Sequence, residues 1–189
     1  QETAASWIDN NNNLWLFGGF GRTTTMPQGR LNDLWRYNIS TNEWTWINGT
    51  NLIDQIGVYG TQGISDALNT PGGRWIYCVW KDTVGNFLLF GGAGIDGTGN
   101  AGLLNDLWKY DISINEWTWI NGSNIRNSLG SYGVQCIPSS SNSPPARQET
   151  RASWVDNYGN FWMFGGQYST NVYNDLWHYS IPTNEWTWV

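Results

Sequence analysis

Charge is scarce in this sequence: of 189 residues only 9 are Lys or Arg and 15 are Asp or Glu. The basic residues are scattered, so no Lys/Arg cluster exists to neutralise a phosphate backbone, and nucleic acid is excluded as the natural partner. The formal charge of −6 points the same way. Long apolar runs are missing too. Those present, such as Phe87-Leu88-Leu89-Phe90, are far too short for a helix that crosses a bilayer. No leader peptide or lipidation motif is visible. Two cysteines cannot build a disulfide scaffold, although they suffice for one bridge. The single histidine, His178, cannot make the multi-histidine centres of zinc or copper. What the chain has in abundance is aromatic surface: 15 Trp, 9 Tyr and 6 Phe, alongside 23 Gly. So much apolar area in a chain of this length supports a sizeable core and argues against disorder.

Three stretches of the chain read almost alike. Leu14-Trp15-Leu16-Phe17-Gly18-Gly19 returns as Phe87-Leu88-Leu89-Phe90-Gly91-Gly92 and as Phe161-Trp162-Met163-Phe164-Gly165-Gly166. Asn-Asp-Leu-Trp begins at Asn32, Asn105 and Asn174, and Asn-Glu-Trp-Thr-Trp begins at Asn42, Asn115 and Asn184. The glycine pairs are 73 and 74 residues apart, a period that signals propellers, solenoids or arrays. The units divide as residues 1–73, 74–147 and 148–189. The first two end in an insert, 48–73 and 121–146, and both inserts share an Asn-Gly-Thr/Ser start and a Tyr-Gly-x-Gln core at Tyr59 and Tyr132.

Within each unit, runs rich in Trp, Tyr, Phe, Ile and Val are separated by Gly, Asn, Ser and Pro, which predicts four short strands. In the first unit these are Ala4 to Ile8, Leu14 to Phe17, Asp33 to Ile39 and Glu43 to Ile47; Trp75 to Trp80 and Arg151 to Val155 match the first of them. The glycine pair permits a sharp bend or backbone conformations closed to other residues, just beyond the expected end of the second strand at Phe17. No segment has a sustained helical period, so the fold is all-β.

A hydrophobic run ending in Gly-Gly, followed by a Tyr with six residues between it and a Trp (Tyr37 and Trp44, Tyr110 and Trp117, Tyr179 and Trp186), resembles the Kelch repeat. The resemblance covers the whole chain and implies a β-propeller segment of three four-stranded blades, of the kind found in the central domain of galactose oxidase. Three blades cannot close a ring of the usual ~4–8. The expectation is therefore that further blades of the same polypeptide, or a second copy of the chain under twofold symmetry, complete it.

Candidate chemistry is thin. Asp9, Asp82 and Asp156, then Asp33, Asp106 and Asp175, then Glu43, Glu116 and Glu185 recur in every unit. A catalytic carboxylate pair is needed once per site, so recurrence points to turns and hydrogen bonds that every blade requires. The paired histidines and tyrosines that bind copper in galactose oxidase are absent, and no nucleophile-elbow motif accompanies His178. Gly18-Gly19-Phe20-Gly21 precedes no helix and is not a phosphate loop. Asp96-Gly97-Thr98-Gly99-Asn100 reads as an Asp-Gly turn before it reads as a calcium loop. The expectation is no catalytic residue, no metal and no cofactor. Three sequons mark Asn38, Asn48 and Asn121 as glycosylation candidates. If the insert carries Cys136 toward the first strands, it brings that thiol to Cys78, a candidate disulfide. Sequons and bridge together suggest an extracellular or cell-surface protein.

The functional expectation is a non-enzymatic binding or structural module that takes a protein or glycan. The alternatives are part of a galactose-oxidase-like or other carbohydrate-active enzyme whose catalytic residues lie elsewhere, and an intracellular Kelch adaptor. Antiparallel connectivity places the second-to-third loops and the inserts on one face, and these are the long, variable segments. Phe20, Arg22, Arg30, Tyr168 and Tyr173 on that face are the candidate contacts, because aromatic and Arg side chains give large contact area with few rotamers to freeze.

Overall fold

The structure, a computed structural model, describes residues 2–23, 27–150 and 152–189. Gln1 and Arg151, at the expected openings of the first unit and of the third unit's first strand, lie outside the described residues, as does part of the loop expected over 20–31. The described residues form thirteen strands and no helix. The first unit holds β1 (Ala5–Ile8), β2 (Leu14–Arg22), β3 (Gln28–Asn38) and β4 (Glu43–Asn48). The second holds β5 (Arg74–Trp75), β6 (Cys78–Lys81), β7 (Phe87–Ile95), β8 (Ala101–Asp111) and β9 (Glu116–Asn121). The third holds β10 (Ala152–Val155), β11 (Phe161–Tyr168), β12 (Asn171–Ser180) and β13 (Glu185–Trp188). Each unit is one antiparallel sheet in chain order; in the second, β5 and β6 both pair with β7 and together take the first-strand position. The all-β architecture of three four-stranded blades is as expected.

The glycine pair does something other than end a strand. Gly18 and Gly19 have φ of 54° and 99°, and the β2–β3 ladder skips a residue between Phe17 and Gly19 before continuing to Arg22 opposite Gln28. A Cβ on Gly18 would sit 2.7 Å from the Leu31 carbonyl oxygen, so only glycine fits this bulge. The ladder bends and runs on, which makes Phe20, Arg22 and Arg30 members of a paired hairpin rather than of a loop.

The recurring aspartates close turns. Asp9 Oδ1 accepts the backbone N–H groups of Asn11 and Asn13, and Asp82 and Asp156 do the same four residues before Asn86 and Asn160. Asp96 accepts from Thr98, Asn100 and Arg126, so its carboxylate completes the Asp-Gly turn.

Blades stack through their aromatic faces. Trp7 lies flat over Phe87 at 4.8 Å, and Phe17 packs on Trp117 at 5.1 Å; at the second seam Trp80 stacks on Phe161 and Phe90 meets Trp186. The recurrence of the Tyr–Trp pair predicts that Trp44, Trp117 and Trp186 are all largely buried; Trp117 and Trp186 are fully buried, but Trp44 is 51% exposed. The correction has a simple cause. The tryptophan is buried by a phenylalanine of the preceding blade, and blade 1 has none among the described residues. At the other end Phe164, the counterpart of Phe17 and Phe90, is exposed for the matching reason.

Each insert packs on the blade that follows it. Gly63 donates to Trp119 O, and Asn69 donates to Trp117 O on β9; Cys136 and Asn142 donate likewise to Trp188 O and Trp186 O on β13. The inserts then lead into Arg74 and Arg147. Arg74 makes a bidentate pair with Asp106 at 2.7 and 2.8 Å, and also donates to the Gly72 and Gly91 carbonyls, with both side chains fully buried. Arg147 and Asp175 repeat this arrangement at 2.7 and 2.9 Å.

This path also explains why the expected Cys78–Cys136 bridge is not formed. Cys136 is exposed and tied to β13 at the fourth-strand edge of blade 3, while Cys78 is buried in β6 at the first-strand edge of blade 2. Both are free thiols, and burial pushes the Cys78 thiol up to about 12.

Two sets of titrating groups set the pH range of the fold. Asp9, Asp96 and Asp175 lie below the ordinary carboxylate value of 3.8: burial opposes their ionisation, but accepted hydrogen bonds, with the Arg147 charge at Asp175, outweigh it. Depressed carboxylates contribute stability above 3.8 that is lost as pH falls. Burial raises Tyr77, Tyr110 and Tyr179 above 10.0, a contribution present below that value and lost as pH rises past it. His178, lowered from 6.5 by burial, adds a loss as pH falls below that value, and Cys78, raised from 9.0 by burial, adds one as pH rises past it, so the melting temperature should be flat only from about pH 7 to about pH 8 and fall on both sides. A thermal melt series across pH checks this, and a maximum confined to one side would contradict it.

Candidate functional site

The bulged hairpins of the three blades and the two inserts converge on one face. There a cleft of about 490 Å³ is lined by Arg30 from blade 1, Ala93 and Leu103 from blade 2, Asn127 from the second insert, and Gln148 and Tyr168 from blade 3. Arg30 is held by the first insert: its guanidinium donates to Asp54 at 3.0 Å, and its backbone exchanges hydrogen bonds with the same residue. Asn127, 73 residues after Asp54, clamps Leu103 in the same way, with its side-chain oxygen accepting at 3.0 Å. Gln148 and Gln167 exchange backbone bonds at 3.0 and 2.8 Å, fixing the third rim. The floor is thus rigid backbone, and the rim offers one guanidinium, amides and a phenol.

Of the five contacts expected from the sequence, Arg30 and Tyr168 come together in this cleft. Phe20 does not join them; it is half-buried against the Trp75 ring at 5.0 Å. Arg22 is exposed and lines a different cavity, beside Trp35 and Trp46. Tyr173 packs beneath the Arg147 guanidinium at 4.3 Å and serves that buried ion pair. Asn127 and Gln148 were not singled out from the sequence. The signal was present for Asn127, since it aligns with Asp54 at the repeat offset.

The geometry is that of a contact surface. Among the described residues no three His, Cys, Asp or Glu side chains gather as metal ligands would. His178 is half-buried on β12, with its ring 4.7 Å from Trp162, and burial lowers its pKa while Asp156 partly restores it. Its cross-strand neighbours are Trp162 on β11 and Thr187 on β13.

The sequon residues differ. Asn38 and Asn48 are half-buried in blade 1, their side-chain oxygens accepting from local backbone N–H groups. Asn121 is buried, and its Nδ2, the atom a glycan would join, donates to Asn184 Oδ1 of the next blade at 3.0 Å.

Sequence comparison accounts for this arrangement. The model of the KLHDC2/KLHL20/DRC7 Kelch-repeats domain matches residues 1–189. The chain belongs to the Kelch-repeat family. No curated protein matches it by sequence. Among solved structures, "Structure of YjhT" superposes with a TM-score of 0.64 at 15% identity, over 99% of this chain and 51% of that one. A novel fungal alcohol oxidase of the AA5 family, in complex with copper, superposes with a TM-score of 0.53 at 15% identity, over 98% of this chain and 29% of that one. The Kelch domain thus spans about half of one neighbour and less than a third of the other, and at these identities the likeness is one of fold. A Kelch-repeat domain is typically a protein-interaction module.

Proposed function

We propose that this Kelch domain binds a protein partner on its hairpin-and-insert face, with Arg30 and Tyr168 as the principal contacts. The observation that carries the reading is a cleft to which all three blades contribute a rim. A segment laid across it meets an arginine tethered at one end, a tyrosine at the other and amides between. A guanidinium and a phenol of this kind are the side chains that dominate interface energetics. The test is quantitative capture of partners from an extract, analysed by mass spectrometry. Arg30→Glu and Tyr168→Ala should each remove specific partners, while Thr41→Ala, in a short turn on the opposite face, should retain them. Loss with Thr41→Ala alone would place the binding face on the other side.

In this reading the domain works outside the cell. The two free thiols withdraw one support for that location, and the sequons at Asn38 and Asn48 remain. Secreted from a eukaryotic host, the protein should carry glycans at Asn38 and Asn48 and none at Asn121, whose amide is engaged and buried. Glycopeptide mapping decides the point, and an occupied Asn121 would contradict it.

A further inference from the structure

Strands β4 and β9 leave their blades through the same seven residues, Glu-Trp-Thr-Trp-Ile-Asn-Gly, over 43–49 and 116–122. Gly49 and Gly122 both have φ of 82°, and a Cβ on either would fall 2.0 Å from a main-chain oxygen, that of Asn32 or Asn105. Packing therefore requires glycine after asparagine at both sites, and glycine is the residue whose backbone nitrogen can most easily reach a preceding side-chain amide, because no Cβ blocks the approach. The peptide itself is prepared alike in the two copies. The Trp46 indole N–H donates to Asn48 O, and the Trp119 indole N–H to Asn121 O, both at 2.8 Å. Such a bond draws electron density out of the Asn–Gly peptide and makes its N–H more acidic.

The asparagine side chains differ. Asn48 is half-buried at the end of a strand that is exposed from Glu43 to Trp46, so water reaches it. Its Oδ1 accepts the Gly49 N–H at 2.6 Å, which folds the side-chain amide back onto the next peptide and polarises its carbonyl toward the attacking nitrogen. Asn121 is buried, and its Nδ2 donates across the seam to Asn184 Oδ1 of blade 3 at 3.0 Å. Asn184 is itself fixed, accepting the Tyr179 hydroxyl at 2.8 Å and donating to the Ile120 carbonyl at 3.3 Å. One amide is turned toward its neighbouring nitrogen, and the other is held by the next blade.

We propose that Asn48-Gly49 is a site of spontaneous self-modification, converting to aspartate and isoaspartate in the folded protein, and that blade 3 protects Asn121-Gly122 from the same reaction. Hydroxide removes the Gly49 amide proton, and the nitrogen bonds to Asn48 Cγ. The Cγ–Nδ2 bond breaks, and ammonia leaves after taking a proton from water. Water then opens the cyclic succinimide at one of its two carbonyls, giving aspartate or, with the main chain lengthened by a methylene, isoaspartate. Either product adds a carboxylate where β4 passes into the first insert. A glycan on Asn48 Nδ2 would occupy the nitrogen that has to leave, so glycosylation and this conversion exclude one another at that residue. Neither the cleft nor its partner enters this chemistry.

The matched sequences supply their own control. Unglycosylated protein from a bacterial host is aged in mildly alkaline buffer, folded or in concentrated urea, and peptide mapping by mass spectrometry reads aspartate and isoaspartate at both sites. In urea the two sites should convert at the same rate. In the folded protein Asn48 should convert, faster as pH rises, and Asn121 should lag by about tenfold or more, because its hydrogen bond and its burial must be given up first. Asn184→Gly keeps the left-handed φ of 55° accessible and removes the acceptor, so it should speed conversion at Asn121 and leave Asn48 unchanged. Acceleration at both sites in that variant would report unfolding, and the comparison of the two sites in the unsubstituted protein then decides alone. Equal rates at the two sites in the folded protein would overturn the proposal. So would an intact Asn48 over a period in which the chain in urea converts.

Discussion

Arg74→Ala should destabilise the domain by about 3–5 kcal/mol, because it leaves a buried carboxylate without its cation. Asp106 has no access to water, and its charge is balanced by a two-pronged guanidinium at 2.7 and 2.8 Å. The same substitution strands the Gly72 and Gly91 carbonyls that Arg74 caps. Asp106 also receives the Tyr59 hydroxyl and the Trp108 indole, so the arginine underpins the seat of the first insert on blade 2. For a chain of this size the loss corresponds to a fall in melting temperature of roughly 6–20 °C. Arg30→Ala is the internal control. Its pair with Asp54 is slightly longer, at 3.0 Å, and both partners are partly exposed; such pairs contribute at most about 1 kcal/mol. Adding Asp106→Asn to Arg74→Ala should recover part of the loss, since the amide is neutral and still accepts from Tyr59 and Trp108. If denaturant melts gave equal losses for Arg74→Ala and Arg30→Ala, burial would not be what distinguishes the two pairs.

Much of the fold was legible because the repeat declares itself. Three copies of the same aromatic run, glycine pair and Tyr–Trp spacing gave the strands, their order and the blade, and the antiparallel connectivity gave the face that carries the hairpins and inserts. What was not legible lay in relations between copies. Glu-Trp-Thr-Trp reads the same in all three units, yet its first tryptophan is buried in two and open in one, because a phenylalanine on another blade decides its burial. Arg30 and Tyr168 could be named as contacts but not placed together, since their meeting depends on how the blades are arranged around the cleft. The glycine pair does hold backbone conformations closed to other residues, but positive φ permits a bulge as readily as a strand end, and only the register shows that the second strand runs on past Phe17. The bridge between Cys78 and Cys136 failed for a similar reason. The insert does travel inward, but it first crosses the fourth strand of the next blade, and Cys136 lies on that earlier stretch.

The same contrast between copies yields the other large effect. Trp117→Ala should cost about 3–5 kcal/mol, whereas Trp44→Ala in the identical sequence context should cost less than about 1 kcal/mol. Trp117 is fully buried, 5.1 Å from Phe17 of the preceding blade, 5.0 Å from Tyr110 beside it and edge-on to Trp108. Its removal opens a cavity at the seam between blades 1 and 2, where backbone bonds to Asn69 and the first insert hold the walls apart and limit collapse. Trp44 packs on Tyr37 at 5.0 Å and otherwise faces outward, so its loss leaves no enclosed void. Trp117→Phe separates shape from hydrogen bonding: the Trp117 indole nitrogen is buried without a partner among the described residues, so phenylalanine forfeits volume alone and should cost less than alanine. Measured by denaturant melts with unchanged m-values, the order Trp117→Ala, Trp117→Phe, Trp44→Ala from most to least harmful follows from the seam. Equal losses at Trp117 and Trp44 would mean that stability resides within each blade, and that the stacking of one blade on the next contributes little.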